Sequence, residues 1–392
     1  MTPKDYLTKK SFCTLPWLGV YIQPDGDVRN CAITKTTLGN INNEPLEDIL
    51  HNHVNQDIKK DMLQDVLHPR CGHCHLLEKN QKFSLDSISN RIWYLKTLKN
   101  NDLDFFDKTS NYKLNMLDLR WKNTCNFACI YCGPDLSSAW AKELNMPQRI
   151  NDQALQQSLD YIYNNLDTVE HIYLAGGEPL LIKENLTLLK QIYQIKPSIE
   201  IRINTNLSII NNEIYQLLKK FKNVHWTVSV DGIGQEFEYV RYGGSWDQFV
   251  KNLQQLRQDF EKINFNSTWC IMTAYGVLEC IDFLQELGFH ENSFVVNPVD
   301  EPQVWHVGNL PDSELALLKD AIKSKISRVD PKYALYNSLT LMLNYISTPF
   351  EKNIQATFDA LEKIDARREI DSSKIFTDLY KFKEENNHGK TI

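Results

Sequence analysis

The segment Leu117-Asp-Leu-Arg-Trp-Lys-Asn-Thr-Cys125-Asn-Phe-Ala-Cys129-Ile-Tyr-Cys132-Gly-Pro134 decides the fold. It opens inside an apolar run, Leu114–Arg120, that reads as a strand. The loop after that strand holds Cys125, Cys129 and Cys132 at C-x3-C-x2-C spacing. Three thiolates from one short loop can hold three irons of a cubane cluster. The fourth iron then stays open to a substrate or cofactor. A zinc ion would want four ligands, and a catalytic zinc site usually includes histidine. The nearest downstream histidine is His171. Three buried structural cysteines are the bland alternative, and this spacing in a loop argues against them.

Working outward, strands alternate with helices. Expected strands are Leu114–Arg120, His171–Ala175, Ile199–Asn204, Val224–Val230, Ser267–Thr273 and Phe294–Asn297. Expected helices between them include Glu184–Tyr193, Asn212–Phe221, Trp246–Asp259 and Val277–Leu287. Such alternation implies α/β architecture, a parallel sheet with helices outside. Six units fall short of the eight in a full barrel, so the expectation is an open, partial (β/α)6 barrel. The cysteine triplet then sits at the C-terminal end of a strand, the active-site face of α/β barrels. Beyond Pro311 the chain reads as helical to about Lys383, with a frayed tail from Asn386 to Ile392.

Upstream, Pro24-Asp25-Gly26-Asp27 reads as a hairpin turn after Val20-Tyr21-Ile22, and Leu46 to His53 as a short helix. A polar bridge from Glu78 to Tyr112 follows, with a helix near Ile92–Leu98. The expected division is 1–80, a cysteine-rich module; 81–112, a linker; 113–300, the core barrel; and 301–392, a helical region.

The composition is ordinarily globular: 42% hydrophobic and 24% charged over 392 residues, enough for a sizeable core without disulfides. A net charge of -7 argues against a nonspecific nucleic-acid surface. No run is apolar enough for a membrane span, and the polar first ten residues lack a signal-peptide core. The expected location is the cytoplasm, where nine cysteines suggest metal ligation over disulfides.

The triplet segment resembles the signature of the radical S-adenosylmethionine (SAM) superfamily, including the aromatic Tyr131 before the last cysteine. Further segments match in order. Tyr173-Leu-Ala-Gly-Gly-Glu-Pro179 resembles the second-strand motif; Asn204-Thr-Asn206 resembles the polar end of the third strand, with Leu207 where the family often has glycine. Ser229-Val-Asp231-Gly232 and Tyr239-Val-Arg241-Tyr-Gly-Gly244 follow. The resemblance implies a SAM-binding 4Fe-4S cluster on Cys125, Cys129 and Cys132, which would be the catalytic ligands. It implies SAM contacts from Tyr131, Gly176, Gly177, Glu178, Asn206, Ser229 and Arg241. Glu178 would meet the SAM ammonium, Ser229 the ribose or methionine end, and Arg241 the carboxylate. A solvated surface arginine is the alternative for Arg241.

Four more cysteines precede the core: Cys13, Cys31, Cys71 and Cys74. By spacing alone they suit structural zinc or an iron–sulfur cluster. Read beside the core, Phe12-Cys13-Thr-Leu-Pro-Trp17, Gly26-x4-Cys31 and Leu38-Gly-Asn-Ile41 resemble the twitch module, the short form of the SPASM domain. That resemblance implies one auxiliary 4Fe-4S cluster, here placed before the barrel where the family usually has it after.

Cys270 and Cys280 read as buried packing, with a hydrogen-donating thiol as the sharper alternative for Cys270. His73 and His75 flank Cys74 as non-ligands, and His306, after Pro298 and Pro302, reads either as lining the substrate opening or, by default, as a surface-loop residue. The resemblance implies an oxidoreductase-type radical enzyme that abstracts hydrogen from a small molecule or peptide. A flavodoxin or ferredoxin would supply electrons. The rival readings are a noncatalytic metal-binding scaffold and a nucleic-acid-modifying enzyme, which the acidic balance disfavours.

Overall fold

The computed structural model describes residues 9–34, 36–72, 74, 100–147 and 152–388. The expected helix near Ile92–Leu98, His73, His75 and residues 389–392 lie outside them. The chain divides into two compact units: 1–125 with 134–203 and 212–224, and 126–133 with 204–211 and 225–392.

The first unit starts with helix α1 (Leu15–Leu18) and strands β1 (Gly19–Ile22), β2 (Asp27–Arg29) and β3 (Gly39–Asn40). Gly26, at φ +88°, closes the β1–β2 hairpin. Two helices follow, α2 (Leu46–His51) and α3 (His53–Leu63), where one was expected. Asn52 ends the first and caps the second, its side chain accepting from Asn55 N. Strands β4 (Met116–Leu119), β5 (His171–Leu174) and β6 (Glu200–Thr205) pair in parallel in chain order. Strand β1 pairs in parallel with β4, Tyr21 opposite Asp118, so the N-terminal hairpin extends the same sheet. Among the described residues the unit also carries helices α4 (Ser138–Glu143), α5 (Asp152–Asn164), α6 (Lys183–Ile195) and α7 (Glu213–Leu218).

The second unit carries β7 (Val224–Ser229), α8 (Gly234–Val240), α9 (Trp246–Asp259), β8 (Ile263–Trp269), α10 (Gly276–Glu286) and β9 (Phe294–Pro298). Its strands are again parallel. The chain therefore has the six-fold β/α succession of a partial (β/α)6 barrel. The fifth core strand starts and ends four residues before the expected Ser267–Thr273. Ile263, Phe265, Ser267 and Trp269 alternate inward, which is the true period. Past Trp269 the Thr273 hydroxyl accepts from Cys270 N at 2.9 Å and turns the chain into a 3-10 helix. Four helices end the chain: α11 (Asp312–Ile326), α12 (Ala334–Ser347), α13 (Ile354–Arg368) and α14 (Thr377–His388). The last runs through His388, past the expected start of the tail.

Candidate functional site

The cysteine loop is fixed by its backbone. In the first unit, the end of β4 is met by the glycine motif after β5. Gly177 has φ +51°, and a Cβ there would stand 2.3 Å from Thr124 O. Only a residue without a side chain fits this approach. Glu178 N donates to the same Thr124 oxygen at 2.7 Å. The Glu178 carboxylate is fully buried and caps the next turn, accepting from Leu180 N at 3.1 Å. Ser138 grips Cys125 from both sides: its hydroxyl accepts from Cys125 N at 2.9 Å and donates to Cys125 O at 3.0 Å. Ser138 N donates to Asn123 O at 2.7 Å.

In the second unit, Ala128 N donates to Tyr242 O at 2.8 Å, and Ile130 N to Val240 O at 2.9 Å. Arg368, in the last turn of α13, donates from Nη2 to Ala128 O at 2.8 Å and lies 4.2 Å over the Tyr242 ring. The same segment of chain presents Asp365, which accepts from the Tyr239 hydroxyl at 2.7 Å. A C-terminal helix thus braces the cysteine loop directly.

Asp231 organises the residues beyond Cys129. It is fully buried and accepts from the Tyr131 hydroxyl, and from Thr268 N at 2.6 Å. Arg241 Nε stands 2.8 Å from its Oδ2. Arg241 is 5% exposed, which overturns the solvated-surface alternative. Burial, followed by repulsion from Cys129, pushes the Cys132 thiol up to about 12. Burial also raises Cys129, with the Arg241 guanidinium opposing it. Asn206 Nδ2 donates to Asn126 Oδ1 at 3.1 Å, and Ser229 Oγ to Asn204 Oδ1 at 3.3 Å. Leu207 adopts φ +57°, the conformation a glycine would take there. Its side chain is fully buried, and its carbonyl accepts from Asn252 Nδ2 at 2.7 Å.

The N-terminal thiols come from three separate segments of the first unit. Asn55 on α3 ties two of them: it accepts from Asn30 Nδ2 beside Cys31 and donates to Pro16 O near Cys13. Thr34 Oγ1 donates to Arg70 O, joining the Cys31 loop to the Cys71 turn. Phe12, Trp17 and Phe106 pack edge-on or tilted beneath, with centroids 5.5–5.8 Å apart. Burial drives Cys13 far up, against a hydrogen bond from Leu15, and Cys31, Cys74 and Cys71 push it further by like charge. Burial raises Cys71 to about 12, with Cys31 and Cys74 adding repulsion. Four thiols that feel one another this way cannot all ionise alone. A cationic core among them would remove that penalty, which is the donor chemistry an iron–sulfur cluster requires. Among the described residues no group of three or more His, Cys, Asp or Glu is arranged to hold a single metal ion.

Other expectations resolve individually. Cys270 lies past its strand, fully buried, its sulfur 3.6 Å from Thr273 Oγ1; Cys280 is buried in α10. His306 is not a surface-loop residue. It is 8% exposed, stacked on Phe350 and Tyr345, and lines a cavity of about 410 Å³. Sequence reading assigned nothing to Asp231, Ser138 or Arg368. Asp231 stood inside a quoted motif; Ser138 and Arg368 carry no local signal.

Residues 120–276 match the model of the radical SAM superfamily. They carry a radical SAM domain. Residues 13–75 match an iron-sulfur cluster-binding domain that precedes it. The first match encloses Cys125, Cys129 and Cys132, and the second encloses Cys13, Cys31, Cys71 and Cys74. Together the two domains imply SAM and iron–sulfur clusters as cofactors. A GTP 3',8-cyclase of Aliarcobacter butzleri is 22% identical over 230 residues, 56% of this chain and 65% of that protein. A second GTP 3',8-cyclase, from Campylobacter jejuni subsp. doylei, is 30% identical over 26% of this chain and 30% of its own length. The chain therefore spans less than two thirds of these relatives. Among solved structures, Streptococcus suis SuiB bound to S-adenosylmethionine aligns with TM-score 0.41 at 17% identity, over 72% of this chain and 60% of that one. Native anSMEcpe with bound AdoMet aligns with TM-score 0.40 at 16% identity, over 52% of this chain and 58% of that one. No helix among the described residues is long and apolar enough to cross a membrane.

Proposed function

We propose that the chain is a radical SAM enzyme that abstracts hydrogen from a small-molecule or peptide substrate. In this reading Cys125, Cys129 and Cys132 hold the SAM-binding 4Fe-4S cluster, and Cys13, Cys31, Cys71 and Cys74 hold an auxiliary one. When bound, the cofactors supply a 5'-deoxyadenosyl radical at the first cluster and an electron acceptor at the second. The observation that carries the reading is the pair of matched domains, each enclosing one complete cysteine set.

The chain's own residues hold and orient. Gly176 and Gly177 dock the second-strand motif against the cysteine loop, and Glu178, Asn206 and Ser229 contribute polar groups from the strand ends. Tyr131 and Arg241 meet on Asp231, so the Arg241 charge is already matched before a SAM carboxylate arrives. We assign Arg241 a positioning role, anchoring Tyr131 through Asp231. The anaerobically reconstituted protein, given SAM and dithionite, should release 5'-deoxyadenosine and contain close to eight irons, four for each cluster. A protein that holds iron but never cleaves SAM would be the scaffold of the rival reading.

A further inference from the structure

A parallel α/β sheet normally buries apolar side chains on both faces, and barrel interiors are packed with branched residues. The first unit's sheet departs from this on one face. Leu117, Leu119, Ile172, Leu174, Ile201 and Ile203 form one side, each at most 1% exposed. The other side carries Tyr21, Asp118, Tyr173 and Arg202 in one row, because the pairing register places them opposite one another across β1, β4, β5 and β6. Arg120 stands one layer further toward the cysteine loop.

Arg120 is held tightly. Its Nε donates to Asp118 Oδ1 at 3.0 Å and one Nη to Oδ2 at 3.4 Å. The Tyr21 and Tyr173 rings flank its guanidinium at 5.0 and 5.6 Å. A guanidinium has five N–H donors, and Asp118 engages only one edge. The side chain keeps 26% of its exposure. Around it, Arg29, Arg120 and Arg202 stand with three carboxylates, Asp25, Asp118 and Glu200, so the face is rich in donors without a net charge. Burial raises the Tyr21 phenol, and it raises Tyr173 to about 12, so both remain donors at neutral pH.

The position has a direction. Tyr21 pairs across the hairpin with Arg29, two residues before Cys31. At the other end, a Cβ on Gly176 would stand 2.9 Å from Arg120 Cα. The donor-rich face therefore runs from a proposed auxiliary-cluster ligand to the proposed SAM motif. We infer that this face binds the substrate through an oxyanion, a carboxylate or phosphate, with Arg120 as the anion-binding residue and Asp118, Tyr21 and Tyr173 positioning it. The inference rests on the proposed function, since it names the substrate class of that site.

The test is equilibrium binding to the reconstituted holoprotein with SAM present, using two probes, inorganic pyrophosphate and succinate. Iron content and 5'-deoxyadenosine release of the wild type are measured first; their failure would strike the proposed function and leave the binding result to be read separately. Saturable binding of either probe, weakened at least tenfold in Arg120→Gln, is the expected result, and the preferred probe says which oxyanion the face takes. Arg120→Gln leaves Asp118 buried without its cation, so the Asp118→Asn/Arg120→Gln double variant guards against misfolding. Tyr173→Phe, which keeps the ring and removes one donor, should weaken binding by a smaller factor. Refusal of both probes by a wild type that carries both clusters overturns the inference. So does equal binding by wild type and the double variant.

Discussion

The two cysteine sets differ in what brings them together. Cys125, Cys129 and Cys132 share eight consecutive residues, and that loop is gripped from outside at Thr124, Cys125, Ala128 and Ile130. Cys13, Cys31, Cys71 and Cys74 are scattered over 62 residues and converge through Asn55, Thr34 and an aromatic floor. A loop gripped by its backbone keeps its shape when its thiols are removed. A set of scattered thiols is part of what holds its own segments together once metal binds. The lesson is that similar ligands can be chemically equivalent yet mechanically opposite.

The largest effect tests the first half of that contrast. Replacing Cys125, Cys129 and Cys132 together with Ala should abolish 5'-deoxyadenosine formation and leave roughly half the iron, since one Cys₄ cluster remains. The melting temperature should stay near that of the wild type. Undiminished SAM cleavage would break the assignment. A collapse in thermal stability would break the contrast.

Replacing Cys13, Cys31, Cys71 and Cys74 should also remove about half the iron. Here, however, the melting temperature should fall clearly, with SAM cleavage persisting in the folded fraction and product formation lost. Zinc in place of iron at these positions, measured by elemental analysis, would end the auxiliary-cluster reading.

Gly177→Ala probes the grip without touching a thiol. The left-handed backbone alone disfavours alanine by about 1–3 kcal/mol, and its Cβ would collide with Thr124 O. SAM cleavage should drop at least tenfold while auxiliary-cluster absorbance is retained. Arg368→Ala should act in the same direction more mildly, since it deletes one charge-assisted bond worth about 1.5–3 kcal/mol. Its signature would be a changed electron paramagnetic resonance spectrum of the SAM-binding cluster, restored in part by Arg368→Lys. An unchanged spectrum would make Arg368 merely structural.

The smallest effect is a pH slope near Asp231. Glu236 Oε2 is buried without a hydrogen-bond partner, close to Gly232 and Gly276. Burial, with Glu279 adding repulsion, raises its carboxyl to about 7. The native state therefore holds this proton more tightly than the unfolded state. Stability from this group is fully present below the unfolded value and is lost as pH rises through 7. Glu236→Gln should flatten that slope in denaturation series from pH 5 to 8. A slope identical to the wild type would refute the assignment.

Much of this was legible in the sequence because it is local. Period-2 alternation marks β5 and β6, and the cysteine spacing marks the loop. At Ile263–Trp269 the polar Asn264 and Asn266 break the apolar run and mask a real strand, whose outward face they occupy. Leu207 stands where the family often has glycine, and no local signal tells that it keeps the left-handed backbone, its carbonyl held by Asn252 from 45 residues away. Arg368 lies 240 residues from Ala128, and no window of sequence joins them. Contacts of that kind belong to the tertiary structure alone.

The parallel pairing of β1 with β4 also bears on solubility. With the hairpin in place, the first unit's sheet ends at β3, only two residues long, too little edge to template another strand. Cutting away the N-terminal segment would leave Met116–Leu119 as an apolar edge with unpaired backbone groups. The N-terminal hairpin is thus also the sheet's guard against aggregation, and residues 120–276 cannot be cleanly excised from it.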